Sequence, residues 1–372
     1  MNVPKLRFKE FSDEYKYRNL SDISTLIKDG THGTHENYEN GIPLLSAKDI
    51  NNNKINIPEN CRKISVDDYN KIYKNYLLKK DDILLTIVGS IGRTALYKNE
   101  KVAFQRSVAT IRIDDNNNSN YIRQYIESPM IINQLNNMTN SSAQGGVYLS
   151  SLSKLNFDIP RKEEQLKIAN FLSLLDKKIE LQSKKIEGLK LFKLCNYDNL
   201  FSNQTHEVQL KNISKIEKGK QLNNELLIEN GSYYMLNGGV SPSGYTNEYN
   251  ANENTITISE GGNSCGYVNF NKNKFWCGGH CYKVIPNGIN NNYLYHNLKY
   301  NEKKIMDLRV GSGLPNIQKK DIENFKISIH NENEQLKISN YFDRYDLKIE
   351  LEELKLNKLI ELKKGLMQNM FV

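Results

Sequence analysis

Along residues 162–201 the apolar positions fall at intervals of four and three: Ile168, Leu172, Leu175, Ile179, Ile186 and Leu189, with one beat missed at Gln182. The same rhythm returns near the C-terminus in Ile338, Phe342, Tyr345, Ile349, Leu356 and Leu359, with the gap at Glu352. Alternating threes and fours put these side chains on one seam, so the pattern predicts two long helices that pack in coiled-coil fashion. No proline lies between Arg161 and Phe201 or between Asn331 and Val372, and Pro160 stands where its missing N–H costs little. A helix of about 38 residues is a rod of roughly 57 Å; antiparallel rods would hold globular parts at opposite ends. Gln182 and Glu352 either share a polar layer that fixes the register or face solvent where the seam widens.

Elsewhere the pattern shortens to runs typical of strands. Asp81-Asp-Ile-Leu-Leu-Thr-Ile-Val88 reads as a strand before the turn Gly89-Ser-Ile-Gly92, and Thr255-Ile-Thr-Ile-Ser259 before Glu260-Gly-Gly-Asn263 is its counterpart. Val108–Ile113 and Tyr282–Ile285 form a second matching pair, and helices are expected around 121–138 and 292–308. Asp114–Ser119 reads as an exposed polar loop. Leu152–Pro160 and Ile322–His330 lead into the two rods, each after a glycine turn, Gly145-Gly146 and Gly311-Ser-Gly313. His330 replaces Pro160 in the second copy, so a less sharp start is expected there.

These correspondences are one duplication. Glu164-Gln-Leu-Lys-Ile168 recurs as Glu334-Gln-Leu-Lys-Ile338, and at an offset of 170 there are 16 identities over 38 positions. The expected fold is α+β: two β-rich α/β domains in a pseudo-two-fold arrangement, separated by two long antiparallel coiled-coil-like helices. The expected divisions are 1–150 and 206–330 for the domains, and 151–205 and 331–372 for the helical regions. A pseudo-symmetric chain suits a two-part target or two copies of a partner.

At 372 residues the length suits two domains. No run approaches eighteen apolar residues and the N-terminus lacks a signal peptide's apolar core, so a soluble, cytoplasmic protein without a membrane partner is expected. Five scattered cysteines do not describe a disulfide framework. The net charge of +8 is spread as +3, +3, +3 and −1 over 1–150, 151–205, 206–330 and 331–372, which is compatible with nucleic acid without demanding it.

Motifs for catalysis are missing: no phosphate-cradling glycine loop, no His-Glu-x-x-His, no Gly-x-Ser-x-Gly, and no Asn/Asp-Pro-Pro-Tyr/Phe for holding a target amine. Glu14-Tyr-Lys16 beside Asp13 lacks the spaced second carboxylate a Mg²⁺ nuclease needs. Cys265, Cys277, His280 and Cys281 are the right types for zinc, but their spacing favours small core residues. Thr31-His-Gly-Thr-His35 is a DNA-reading loop or a polar turn, and Phe275-Trp276 is more simply a core aromatic pair.

The ordered set Val3-Pro-Lys-Leu-Arg-Phe8, Leu44-Leu-Ser-Ala-Lys-Asp-Ile50, Asp82–Thr86, Tyr234-Met-Leu-Asn-Gly-Gly239, Ile256–Gly262, Gly311-Ser-Gly-Leu-Pro-Asn-Ile317 and the two Glu-Gln-x-x-Ile helices resembles the specificity subunit of a type I restriction–modification enzyme. The resemblance implies a non-catalytic subunit whose two target-recognition domains read a bipartite, asymmetric site on double-stranded DNA. It implies that the helices set the half-site separation and dock two modification (methyltransferase) subunits. Those subunits bring S-adenosylmethionine for adenine methylation, and restriction subunits add ATP- and Mg²⁺-dependent translocation and cleavage; no cofactor is expected in this chain. Rods of several tens of ångströms suit half-sites about one DNA turn, roughly 34 Å, apart. Lys and Arg should hold phosphates, while Arg, Asn, Gln, His and Thr should read base edges. The candidates are His32, Lys48, Arg93, Gln105 and Arg106 in the first domain, and Lys218, Lys220, Asn237, Asn263, Lys272 and Arg309 in the second. The alternatives are a scaffold that binds methyltransferase subunits without reading DNA, and a module split from a fused restriction–methylation enzyme.

Overall fold

The computed structural model describes residues 3–140, 145–202, 206–311, 313 and 315–372. Ser312 and Leu314, within the Gly311–Ile317 motif quoted above, lie outside the described residues. The chain divides into two compact units, 1–182 with 355–372, and 183–354. Each unit therefore contains one globular part and about half of each long helix.

The first unit is built on a four-stranded antiparallel sheet in the order Ser24–Asp29, Val108–Ile113, Ile83–Thr86, Thr94–Leu96. Side chains alternate across it. Ile83, Leu85, Ala109 and Ile111 face a core shared with helix residues Tyr121, Ile122 and Tyr125. Leu84 and Val108 face Leu45 and Phe104 of a small sheet ordered Lys63–Ile64, Ile42–Leu45, Ala103–Phe104. A ribbon of Lys16–Asn19 and Asn156–Ile159 leads into the first long helix, Lys162–Phe201.

The second unit repeats this order. Its main sheet is Ser214–Lys218, Cys281–Pro286, Thr255–Ser259, Val268–Asn271, and its small sheet is Gly244–Thr246, Tyr233–Leu236, Trp276–Cys277. Glu207–Gln209 and Lys326–Ser328 form the ribbon before the second long helix, Glu332–Met370. That helix starts at the position equivalent to the first, so its beginning is no less sharp. Asn331 takes over the capping, its Oδ1 accepting the Glu334 N–H at 3.0 Å.

The helices expected at 121–138 and 292–308 are each broken in two. Ser119–Ile126 and Pro129–Asn140 part at Ser128-Pro129, because proline lacks the donor and disfavours a helical residue before it. Asn291–Tyr300 and Glu302–Met306 part at Asn301, whose buried amide donates to the Asn297 carbonyl at 3.0 Å. The expected loop at 114–119 also supplies a helix cap. Asn118 Oδ1 accepts the Tyr121 N–H at 2.8 Å, and Asn290 does the same for Tyr293 at 2.9 Å.

The repeated Glu-Gln pair holds each long helix in place. Gln165 is 1% exposed; its Nε2 donates to the Pro160 carbonyl and to Asn117 Oδ1, both at 2.9 Å, and its Oε1 accepts the Asn118 N–H at 2.9 Å. Gln335 donates to the His330 carbonyl at 2.9 Å and accepts the Asn290 N–H at 3.3 Å. The glutamates have diverged: Glu164 takes a bidentate bond from Arg7 at 2.8 Å and the Tyr15 hydroxyl at 3.0 Å, while Glu334 helps cap its own helix.

In both units the long helices run antiparallel. Lys363 pairs with Asp176 at 2.6 Å in the first unit, and the residues 170 positions away, Lys193 and Asp346, pair in the second. Phe371 stacks on Tyr125 with centroids 4.5 Å apart, and the equivalent Phe201 packs on Tyr300 at 5.4 Å and on Phe342. All twelve seam residues are buried or half-buried. Glu352, at the seam gap, is 5% exposed and takes Lys185 at 2.9 Å.

Candidate nucleic-acid interface

Five segments meet at one end of the first unit's main sheet, tied by backbone hydrogen bonds. Gly30 N–H donates to Val108 O at 3.0 Å, Thr31 N–H to Phe104 O at 2.9 Å, and Gln105 N–H to Leu45 O at 2.8 Å. Ile87 N–H donates to Ser107 O and Val147 N–H to Ile87 O, both at 2.9 Å. Gly30 is required here: a Cβ would stand 2.1 Å from the Phe104 carbonyl oxygen.

The second unit reproduces this frame bond for bond. Gly219 N–H reaches Cys281 O at 2.8 Å, Lys220 N–H reaches Cys277 O at 2.9 Å, and Gly278 N–H reaches Leu236 O at 2.8 Å. Glu260 N–H reaches His280 O and Ile317 N–H reaches Glu260 O, both at 2.9 Å. A Cβ on Gly219 would meet the Gly278 carbonyl oxygen at the same 2.1 Å.

On that common frame the side chains differ. Gln105 and Arg106 in the first unit correspond to Gly278 and Gly279 in the second, Lys48 to Gly239, and Ile87 to Glu260. Glu260 is 5% exposed and sits among Lys218 Nζ at 2.6 Å, the Tyr282 hydroxyl at 2.8 Å and His280 Nδ1 at 3.5 Å. Burial pulls its carboxyl upward, but the bonds from Lys218 and Tyr282 and the charges of Lys218 and His280 outweigh that and leave it below the usual carboxylate range. It is an anionic anchor beneath the second loop cluster. Nothing in the strand pattern marked it, because its position follows a run of alternating apolar residues.

Ten of the eleven candidate residues fall in these two clusters. His32 is exposed and pairs with Asp29 at 2.6 Å. Lys48 projects from the turn Ala47–Asp49, which Ser107 Oγ ties down by accepting the Ala47 N–H at 3.0 Å. Arg93, Arg106, Lys220, Asn263 and Arg309 are exposed, and Gln105 is half-buried. Asn237 turns inward, its Oδ1 accepting the His280 N–H at 3.1 Å, so it supports the loop. Lys272 is the exception. It lies at the opposite end of the sheet, beyond Asn271, which pairs with Thr255, and it binds Glu350 on the long helix at 2.5 Å.

The four zinc-type residues do not converge. Cys265 belongs to the core under the main sheet, Cys277 and Cys281 to the small-sheet core, and His280 is 63% exposed at its side chain beside Glu260. Among the described residues no group of three or more His, Cys, Asp or Glu is placed to hold a metal ion. His35 bonds Thr31 Oγ1 at 2.9 Å and Asp68 at 3.3 Å, so the histidine loop is internally braced. Phe275 is fully buried and stacks on Tyr234, while the Trp276 Nε1 donates to Lys220 O at 2.8 Å and thereby supports the loop cluster.

A different surface lies along the long helices. Leu166 (49% exposed), Leu174 (63%) and Leu181 (57%) form a stripe in the first unit. Leu347, Leu351 and Leu354 form one in the second, where Leu336 is also exposed. Leu166 and Leu336, like Leu181 and Leu351, are duplication equivalents. Among the described residues no helix is long and apolar enough to cross a membrane.

Two units with one backbone frame and unlike loop side chains, each braced by paired helices, define a tandem recognition protein. The family model for the type I restriction modification DNA specificity domain matches twice, at residues 12–191 and 203–362, and the chain belongs to that family. A protein of Methanocaldococcus jannaschii provisionally named the type I restriction enzyme MjaX specificity subunit is 24% identical over 412 aligned positions, covering 98% of this chain and 95% of that one. A provisionally named type I specificity subunit of Mycoplasma pneumoniae is 36% identical over 172 residues, 45% of this chain and 44% of its own length. That match and the one to a Mycoplasma genitalium relative, at 39% of its length, thus span under half of those relatives. The fold is that of the crystal structure of a type I restriction–modification S subunit from M. genitalium, with a TM-score of 0.68, 20% identity, and 100% and 99% of the two chains covered.

Proposed function

We propose that this chain is the sequence-reading subunit of a type I restriction–modification enzyme. Each loop cluster reads one half of a bipartite, asymmetric site on double-stranded DNA. The observation that carries this reading is the pairing of an identical hydrogen-bond frame with different side chains at equivalent positions. A conserved frame presents loops in the same way, while Arg106 offers a guanidinium to base edges where Gly279 has no side chain, and Lys48 offers a charge to the backbone where Gly239 has none. Two unlike readers on one chain call for two unlike half-sites. The globular parts correspond to 1–150 and 206–330, with 151–205 and 331–372 as the helical regions.

The exposed leucines that the duplication repeats, Leu166 with Leu336 and Leu181 with Leu351, support docking of two modification subunits, because apolar positions shared by both copies fit two copies of one partner. In this reading the chain is non-catalytic and works in the cytoplasm. S-adenosylmethionine, ATP and Mg²⁺ belong to the modification and restriction subunits. Genome-wide mapping of methylated adenine in the source strain and in a strain lacking this gene tests the proposal. Loss of a single bipartite motif is expected. If the methylated motifs are unchanged while methyltransferase subunits still co-purify with the chain, the chain is a scaffold and the reading is wrong.

A further inference from the structure

The second unit carries a lysine-lined groove along the edge of its main sheet. Along the edge strand Ser214–Lys218 runs a groove of about 450 Å³, and Lys215, Lys218, Lys220, Lys283 and Lys319 line it. Glu217 is the one acid in the lining, shared by Lys215 at 2.7 Å and Lys283 at 3.2 Å. Glu260 and Glu323 hold Lys218 and Lys319 from outside the groove, so five lysines still exceed three carboxylates. The shared frame identifies the equivalent positions in the first unit. They are Leu26, Asp29, Thr31, Thr110 and Leu149, and Lys28 stands where the second unit has Glu217, so one lysine takes the place of five. The lysine groove is therefore an addition to the frame and not part of it. Lys218 and Lys220 belong at once to the groove and to the loop cluster, so the two surfaces are continuous.

We propose that this groove carries the phosphate backbone of the duplex that the second unit reads, and that the first unit has no such clamp at the equivalent place. The proposal rests on the DNA-reading assignment above and adds to it where sequence-independent affinity resides. Ammonium groups set along an edge strand (Lys215, Lys218), the loop after it (Lys220), the neighbouring strand (Lys283) and a helix start (Lys319) can follow a row of phosphates. Lysine acts as a point charge on a flexible stem and makes no demand on base identity. Each phosphate neutralised contributes roughly 0.9 to the slope of log K against log salt.

The test uses the full-length chain and a mixed-sequence 30-bp duplex, with affinity measured across a salt series. The triple variant K215Q/K283Q/K319Q is compared with K177Q/K178Q/K348Q, an equal charge loss on exposed positions of the long helices. Thermal melting checks that both remain folded. The groove variant is expected to lower the salt slope by roughly 2–3, from three contacts at about 0.9 each, while the helix variant leaves it unchanged. The adenine-methylation motif in cells should stay the same, since no base contact is removed. An unchanged slope, or an equal drop in both variants, overturns the groove assignment while leaving DNA reading intact. Failure of the wild-type chain to bind the duplex at all overturns both.

Discussion

Replacing Gln165 by alanine should be among the most damaging single changes in the first unit. The side chain is 1% exposed and makes three hydrogen bonds at 2.9 Å. Two of its partners are main-chain groups with no substitute nearby: the Pro160 carbonyl at the entry to the long helix, and the Asn118 N–H at the cap of Ser119–Ile126. An unsatisfied buried group costs about 1–3 kcal/mol, so two orphans cost roughly 2–6 kcal/mol. For a unit of this size each kcal/mol lowers Tm by about 2–4 °C, which gives a fall of roughly 4–24 °C. Gln335→Ala should cost less, because the second unit has no counterpart to the Asn117 bond and its Asn290 contact is longer, at 3.3 Å. Calorimetry gives the melting shift, and amide exchange at Asn118 and Asn290 tells which unit has opened. If Gln165→Ala melts within about 1–2 °C of wild type, or if the two variants are equally damaging, the glutamine is not the tie described here.

Gly30→Ala and Gly219→Ala should each displace the loop cluster of their own unit, since the added methyl would meet a carbonyl oxygen at 2.1 Å; a cost of about 2–3 kcal/mol and weakened duplex binding are expected in melting and binding assays. Arg106→Ala should relax base preference in one half of the methylated motif and leave the other half unchanged, as methylome sequencing of the variant strain would record. His296 is fully buried between the Tyr197 hydroxyl at 2.9 Å and Asp343 at 3.0 Å, and burial holds its pKa below the ordinary 6.5 despite that carboxylate. A histidine depressed in the folded state binds fewer protons than when unfolded. Its contribution is thus complete above pH 6.5 and falls as pH drops below it, by up to about 1.4 kcal/mol per pH unit. His330, whose pKa burial also lowers, adds to the same slope. His296→Gln, which installs the residue found at the equivalent Gln124, should flatten the acid-side loss of stability in denaturant titrations at about pH 5–7.

The lysine groove and the glycine-lined loops of the second unit make the halves chemically unequal, although their strands, caps and helix ties match. Duplication preserved the bonds that depend on backbone geometry. Divergence was free at side chains that project from the frame without holding it, such as Arg106 against Gly279.

The sequence alone determined the duplication, the two long helices and the main strands, because each rests on local periodicity and each appears twice. Of the eleven candidates it offered, the loops gather ten, since lysines, arginines and glycine turns mark exposed chain ends. For Lys272 the exposure was legible but its end of the sheet was not; only the register Thr255 to Asn271 places it away from the loop cluster. The breaks at Ser128-Pro129 and Asn301 were partly legible, the first in its proline, the second only in a buried amide. That Asn237 braces its loop through a bond to His280 is visible only in the folded chain. Glu260 and the lysine groove depend wholly on tertiary structure. Lys215, Lys283 and Lys319 are far apart in the chain, and a surface charge field exists only where strands and loops from distant segments pack side by side.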